Sequence, residues 1–151
     1  MRKSFRQLII VLAIVSGSVL SSNAQELGVR FGDISSGNNF AIDGIFSLGP
    51  FNRIHADVSF GQGGIGFDAL WDFLYRPLGD EDINWYLGVG PYMRIDDPFW
   101  LGAAFEAGLE YRFEIVPIAL GVDWRPSVSV IQKTKFHWNG FGLNVRYVFG
   151  N

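Results

Sequence analysis

Hydrophobic and polar residues alternate along most of the chain after residue 24. In the segment LGAAFEAGLEYRF (101–113), apolar and aromatic residues occupy the odd positions, whereas Glu106, Glu110 and Arg112 occupy even ones. A period of two is typical of a β-strand with two different faces. A helix would hold the glycines of this segment in its interior, at a cost of about 1 kcal/mol each relative to alanine. The segment is therefore predicted to be a strand.

The same alternation recurs in eight segments that are separated by turn-forming residues. Predicted strands cover 26–32, 40–48, 52–60, 65–76, 84–94, 100–113, 117–126 and 139–149, and a longer turn covers 127–137. Short turns at regular spacing, without a helical period between them, indicate an antiparallel all-β meander. We therefore predict one all-β domain over residues 25–151, an eight-stranded antiparallel up-and-down barrel.

Charged residues keep to one face of every predicted strand. There are 14 of them on the face opposite the apolar one: Arg30, Asp43, Arg53, Asp57, Asp68, Asp72, Arg76, Arg94, Glu106, Glu110, Arg112, Asp123, Arg125 and Arg146. His55 shares this face, between Arg53 and Asp57. Seven arginines balance seven carboxylates, which predicts a structural ion network inside the barrel, and glycines on the same face leave room for it. Glu106 and Glu110 lie about 13 Å apart along a strand, too far to share a proton in catalysis.

The composition excludes several classes of function. The chain contains no cysteine, which excludes disulfides, thiolate metal sites and cysteine nucleophiles. After residue 24, nine basic residues face 15 acidic ones, so no nucleic-acid partner is expected, because phosphate binding needs a basic face. The two histidines, His55 and His137, show no metal-ligand spacing. We expect no cofactor and no metal.

The first 24 residues have the pattern of a secretory signal peptide. Arg2, Lys3 and Arg6 precede the short apolar run LIIVLAIV (8–15), and small residues in SNA (22–24) fit cleavage after Ala24. No later segment contains the roughly 20 apolar residues of a membrane-spanning helix.

The apolar face is predicted to point outward, toward lipid. Eight strands enclose a space that is only just filled by side chains, so more than twenty large apolar residues would overfill it. An arginine on the lipid side would cost about 2–4 kcal/mol at the bilayer midplane. This cost explains why the charged residues keep to the opposite face of every predicted strand. Aromatic residues are predicted to gather at both rims: Phe73, Tyr75, Trp85, Tyr111, Phe113, Tyr147 and Phe149 at one, and Phe31, Phe60 and Trp124 at the other. Ile45, Leu70, Leu74 and Val148 are apolar residues on the predicted interior face.

The last predicted strand, FGLNVRYVF (141–149), combines a glycine, alternating apolar residues and a closing aromatic residue. With this strand, the chain resembles small eight-stranded outer-membrane proteins of the OmpA/OmpX type. The segment ALGVDWRPSVSV (119–130) is also similar to a strand of small barrel proteins in Bacteroidetes-type bacteria. The resemblance implies a transmembrane barrel in the outer membrane of a Gram-negative bacterium, in contact with lipid and lipopolysaccharide. It also implies that the outer-membrane insertion machinery recognises 141–149.

A monomeric, non-enzymatic envelope protein is the expected function, and three alternatives remain open. The first is a narrow channel for ions or small solutes. The second is a lipid A-modifying enzyme that uses Ser127 or Ser129 with His137 and Asp123. The third is a soluble, lipocalin-like binder with its apolar face inward. Separately, Asp33 and the DDP turn (96–98) have the carboxylates of a divalent-cation site, but a plain acidic turn is the preferred interpretation.

Overall fold

A computed structural model of the protein describes residues 25–62, 64–79 and 82–150; the predicted signal peptide lies outside this part. The described residues form ten strands and no helix: β1 (Gln25–Gly32), β2 (Phe40–Ser47), β3 (Arg53–Gly61), β4 (Gly64–Pro77), β5 (Ile83–Ile95), β6 (Trp100–Arg112), β7 (Ile118–Trp124), β8 (Ser127–Ser129), β9 (Lys135–His137) and β10 (Phe141–Val148). None of these residues belongs to a helix long and apolar enough to cross a membrane.

The strands close into an eight-stranded antiparallel barrel, as predicted. Each strand from β1 to β6 pairs with the next, β6 pairs with β7, and β7 pairs with β10. The ring closes because β1 also pairs with β10, from Glu26 opposite Val148 to Gly32 opposite Gly142. β7 and β8 both pair with β6 and together form one interrupted barrel strand. Closure leaves no open edge in the barrel wall.

The predicted long turn over 127–137 was wrong, because most of its residues extend the sheet. β8 pairs with β6 and with β9, so Val128 lies opposite both Ala103 and Phe136. The interruption between β7 and β8 falls at Arg125 and Pro126, where proline has no N–H to donate to a neighbouring strand. The β8–β9 hairpin therefore extends the wall at one end of the barrel.

The two ends of the barrel differ. The loop end carries the connections 33–39 and 96–99 together with the β8–β9 hairpin. The turn end carries the connections 48–52 and 113–117 and both ends of the barrel chain, Gln25 and Val148.

The barrel interior is polar and tightly filled. Fully buried side chains include Arg30, Arg53 and Arg146, whereas most large apolar side chains on the wall point outward. Glycine provides the space for these long side chains: a Cβ at Gly142 would lie 2.5 Å from Cζ of Arg30, and a Cβ at Gly108 would collide with the ring of Tyr86. Eight strands leave just enough room for side chains, so each large residue requires a small neighbour.

One β-bulge breaks the alternation that the sequence predicts. In β4, Asp72 lies opposite Gly88 of β5, and the next paired residue is Leu74, opposite Leu87. Phe73 is the extra residue of the bulge, which reverses the face of every following residue in β4. Tyr75 therefore points inward, whereas it was predicted on the outer face of the wall, in the same aromatic rim as Phe73.

The same bulge corrects two further predictions. Leu74 and Arg76 were assigned to the interior face, but both follow the bulge and belong to the outer face. The Arg76 guanidinium accordingly lies 3.6 Å from the ring centre of Phe51, on the turn that joins β2 and β3. Ile45, Leu70 and Val148 are buried, as their position on the interior face predicts.

Candidate functional site

His55 occupies the middle of the interior ion network. Its Nε2 lies 2.7 Å from Oδ1 of Asp43, and its Nδ1 lies 2.9 Å from Oε1 of Glu106. An imidazole can donate from both nitrogens only when it is doubly protonated. The two carboxylates on opposite sides of the ring therefore favour a positively charged His55 that bridges β2 and β6.

Glu110 organises the part of the network nearer the turn end. Its Oε2 accepts hydrogen bonds from Arg53 (2.9 Å) and Arg146 (2.8 Å). Its Oε1 accepts one from the Tyr75 hydroxyl (2.8 Å) and one from Arg112 (3.0 Å). This single carboxylate thus joins side chains from β3, β4, β6 and β10.

Arg125 organises the part nearer the loop end. Its guanidinium donates to Asp57, to Asp68 at 3.2 Å and to Glu106 at 2.8 Å. Arg125 directly follows β7, and the carboxylates it binds come from β3, β4 and β6. Its charge is therefore shared by three strands, and the side chain is fully buried.

A separate pair joins β1 to β7. Arg30 Nη2 lies 2.5 Å from Oδ1 of Asp123, and Arg30 Nε lies 3.1 Å from Oδ2. Asn144 of β10 donates a third hydrogen bond to Asp123 at 2.7 Å. The fork geometry of the guanidinium matches both carboxylate oxygens, which is the strongest arrangement for such a pair.

The structure buries nearly all of the residues predicted for the interior network. Besides Arg76, which lies on the outer face, Arg94 and Arg112 are the exceptions: Arg94 is half-buried at the loop end, and Arg112 is partly exposed at the turn end. Sequence reasoning missed Glu26, Tyr75 and Asn144, all of which bind network residues. The interior position of Glu26 was predictable, because Glu26 lies on the same face of its strand as Arg30. The interior position of Tyr75 was not, because it depends on the bulge. With Arg76 outside and Glu26 inside, the described interior holds six arginines and eight carboxylates, rather than seven of each.

The central network leaves no open pore. His55, Asp43 and Glu110 have no exposed side-chain surface, and neither does Arg146 beside them. A continuous water-filled path would have to expose some of these groups.

Two groups of buried residues bring three potential metal ligands close together: Asp43, His55 and Asp57, and His55, Asp72 and Glu106. Their ligand atoms already serve the arginines and His55 itself; Arg53, for example, donates to Asp72 at 2.8 Å. Adjacent guanidinium groups would also repel a cation. Among the described residues, Asp33, Asp96 and Asp97 belong to no such group.

The residues considered for a hydrolase come only partly together. Ser127 lies directly opposite His137 in the β8–β9 pairing. The Ser129 hydroxyl, however, donates to the backbone oxygen of Lys133 at 2.8 Å, and Asp123 is held by Arg30 and Asn144. The acid is thus engaged within the barrel, separate from the hairpin.

A cavity of about 400 Å³ opens at the loop end, above the network. It is lined by connection 33–37, by Tyr92, Arg94 and Trp100, and by Arg125, Ser127, Lys135 and His137. Partial burial and the positive charges of Lys135 and Arg94 lower the pKa of His137. Arg94 and Lys135 bring positive charge to the mouth of this cavity, although the chain as a whole is acidic.

Comparison with known proteins gives no family assignment: no protein-family model matches the chain, and no curated protein matches it significantly. The fold and its side-chain arrangement are therefore the basis for a functional conclusion.

Proposed function

We propose that the protein is an integral outer-membrane β-barrel of a Gram-negative bacterium, with a non-enzymatic role in envelope stability or surface contacts. One observation carries this proposal: the barrel is apolar outside and ionic inside. Soluble proteins have the opposite arrangement, with charged groups in water and an apolar core.

The outer wall has the properties of a lipid-facing surface. Trp71, Phe105, Leu109, Val122 and Leu143 are each more than two-fifths exposed. Soluble monomers rarely expose a continuous apolar patch of more than a few hundred Å². In lipid the same surface carries no penalty, and a closed barrel satisfies every backbone hydrogen bond of its wall.

Aromatic pairs at both ends of the wall support a position across a bilayer. Tyr147 and Phe149 have ring centres 4.9 Å apart near the turn end, and Trp124 stacks on Trp138 at 6.4 Å near the loop end. Membrane barrels carry such aromatic girdles at both interfaces. Strands β4 to β6 contain 13–14 residues, more than the roughly 9–11 that a tilted strand needs to cross, whereas the other strands of the ring, β1, β2, β3, β7 and β10, contain 7–9.

The filled interior supports a closed barrel over a channel. Four side chains at the centre, those of Asp43, His55, Glu110 and Arg146, have no exposed surface. We therefore expect no measurable conductance from the purified protein in a planar bilayer. A stable open conductance would instead favour the channel function.

Cell fractionation tests the proposed location. Expressed with its complete N-terminus, the protein is expected in the outer-membrane fraction. It should migrate differently in boiled and unboiled samples on SDS gels, because a closed barrel resists the detergent until it is heated. Recovery in the periplasmic extract without a mobility shift would contradict the proposal and favour a soluble binder.

Two matched substitutions distinguish a lipid-facing wall from an ordinary surface. Val145 lies in the middle of β10 and points outward, whereas Val130 lies in the β8–β9 hairpin and is also exposed. Val145→Arg should lower the stability of the membrane-inserted barrel by about 2–4 kcal/mol. Val130→Arg should cost less than about 0.5 kcal/mol. Equal and small effects at both positions would contradict membrane insertion.

A further inference from the structure

The loop-end cavity contains hydrogen-bond donors that nothing in the described protein satisfies. Nε of Arg94, Nε1 of Trp100, Nε of Arg125 and the Ser127 hydroxyl are all buried without a hydrogen-bond partner. All four residues line the same cavity. Arg125 and Ser127 are each 1% exposed, so their unpaired groups belong to a buried site and not to a solvated rim.

Leaving several buried donors unpaired is costly, at about 1–3 kcal/mol each, so their convergence on one cavity requires an explanation. Three are exclusively donors, and a hydroxyl can also donate. The complementary ligand group is therefore rich in acceptor oxygens.

The charges around the cavity specify the sign of that ligand. Arg94 and Lys135 line it with His137, and Asp33 is the acidic side chain among the described lining residues. Arg125 lines it too, but its charge is already balanced by Asp57, Asp68 and Glu106, so Arg94 and Lys135 determine the sign. Arg94 is held in place because its Nη1 donates to the Ser36 backbone oxygen at 2.9 Å, and its guanidinium lies 5.2 Å from the ring centre of Trp100.

We propose that the loop-end cavity binds a phosphate group, through the unpaired donors of Arg94, Trp100, Arg125 and Ser127 and the charge of Lys135. A phosphate offers several acceptor oxygens and a negative charge, which match both the donors and the cations. A volume of about 400 Å³ holds more than a bare ion, so the ligand is a small phosphate-bearing molecule or the headgroup of an anionic lipid. This inference goes beyond the proposed envelope role and depends on the cavity, not on where the barrel resides.

Titration calorimetry with inorganic phosphate tests the site. The full barrel is used in a neutral detergent at constant ionic strength. Wild-type protein should bind one phosphate per barrel. Lys135→Gln should weaken binding about fivefold. The matched control is Lys133→Gln, since Lys133 carries the same charge two residues away and does not line the cavity.

A second variant, which changes no charge, tests the contribution of hydrogen bonding separately. Ser127→Ala removes a buried hydroxyl that has no partner in the protein, so it should weaken phosphate binding about fivefold without lowering the stability of the barrel. Absence of phosphate binding, together with no response to anionic lipid, would overturn the proposal. Equal weakening by Lys133→Gln and Lys135→Gln would also overturn it, because that result indicates diffuse attraction.

Mixed micelles identify the source of the phosphate. The titration is repeated by adding phosphatidylglycerol to the neutral detergent. A response to inorganic phosphate with none to phosphatidylglycerol indicates a soluble ligand. A response only to phosphatidylglycerol, again reduced by Ser127→Ala but not by Lys133→Gln, indicates a lipid headgroup.

Discussion

Breaking the Arg30–Asp123 pair provides a direct measure of how dry the barrel interior is. Both side chains are fully buried, and two nitrogens of Arg30 approach the two oxygens of Asp123 at 2.5 and 3.1 Å. Arg30→Met removes the cation and leaves Asp123 with Asn144 at 2.7 Å and Arg125 at 4.0 Å. Removing one partner of a buried pair typically costs about 3–5 kcal/mol, because the other charge stays buried without its main partner.

The double variant separates this penalty from a loss of packing. Arg30→Met with Asp123→Leu removes both charges and should recover most of the loss, since replacing a buried pair by apolar groups is often neutral. The resulting coupling energy between the two positions should reach about 1–3 kcal/mol.

Urea unfolding of the barrel in lipid vesicles, followed by gel mobility, gives the free energy of unfolding for each variant. A loss below about 1 kcal/mol for Arg30→Met would refute the reasoning. Such a value is typical of solvent-exposed ion pairs and would mean that water fills the interior.

Two further predictions concern β4. Deleting Phe73 should leave a folded barrel, because Asp72 and Leu74 keep their partners in β5 when the extra residue of the bulge is removed. Deleting Ala69, a smaller residue in a regular part of the strand, should abolish folding, because a slip of one residue exchanges the two faces. Heat-dependent gel mobility measures both outcomes, and equal folding of the two deletions would contradict the bulge. Tyr75→Phe should lower the free energy of unfolding by about 1–3 kcal/mol, since it removes a hydrogen-bond donor from the buried Glu110. An unchanged free energy of unfolding would mean that Tyr75 points out of the barrel.

Much of the fold follows from the sequence because a barrel wall imposes a simple rule on every strand. An apolar outer face and a narrow polar interior make residue parity the main constraint, so β6 was predicted at 100–113 and ends at Arg112. Turn residues then determine where strands end. The rule fails at Pro126, because the pairing continues in β8 and β9 after the interruption.

The bulge in β4 shows why parity alone is insufficient. The sequence places Phe73 and Leu74 side by side as two apolar residues, which could mean either an apolar residue inside or an extra residue in the wall. Nothing local decides between these readings. The choice depends on which side chains fill the interior at that level of the barrel. There the Tyr75 hydroxyl donates to Glu110, two strands away in the wall, and the Tyr75 ring centre lies 4.2 Å from the Arg53 guanidinium.

The partners within the network were equally beyond the sequence. Parity assigns a charge to the interior, but the height of each residue depends on the stagger between strands. Arg30 and Asp123 are 93 residues apart in the chain, and β10 lies between their strands. The closed ring of strand pairings fixes every position in the wall. Each arginine can therefore reach only the carboxylates at the same level along the barrel axis. The network is therefore a consequence of closure, and its stability should be lost as one unit when the barrel opens.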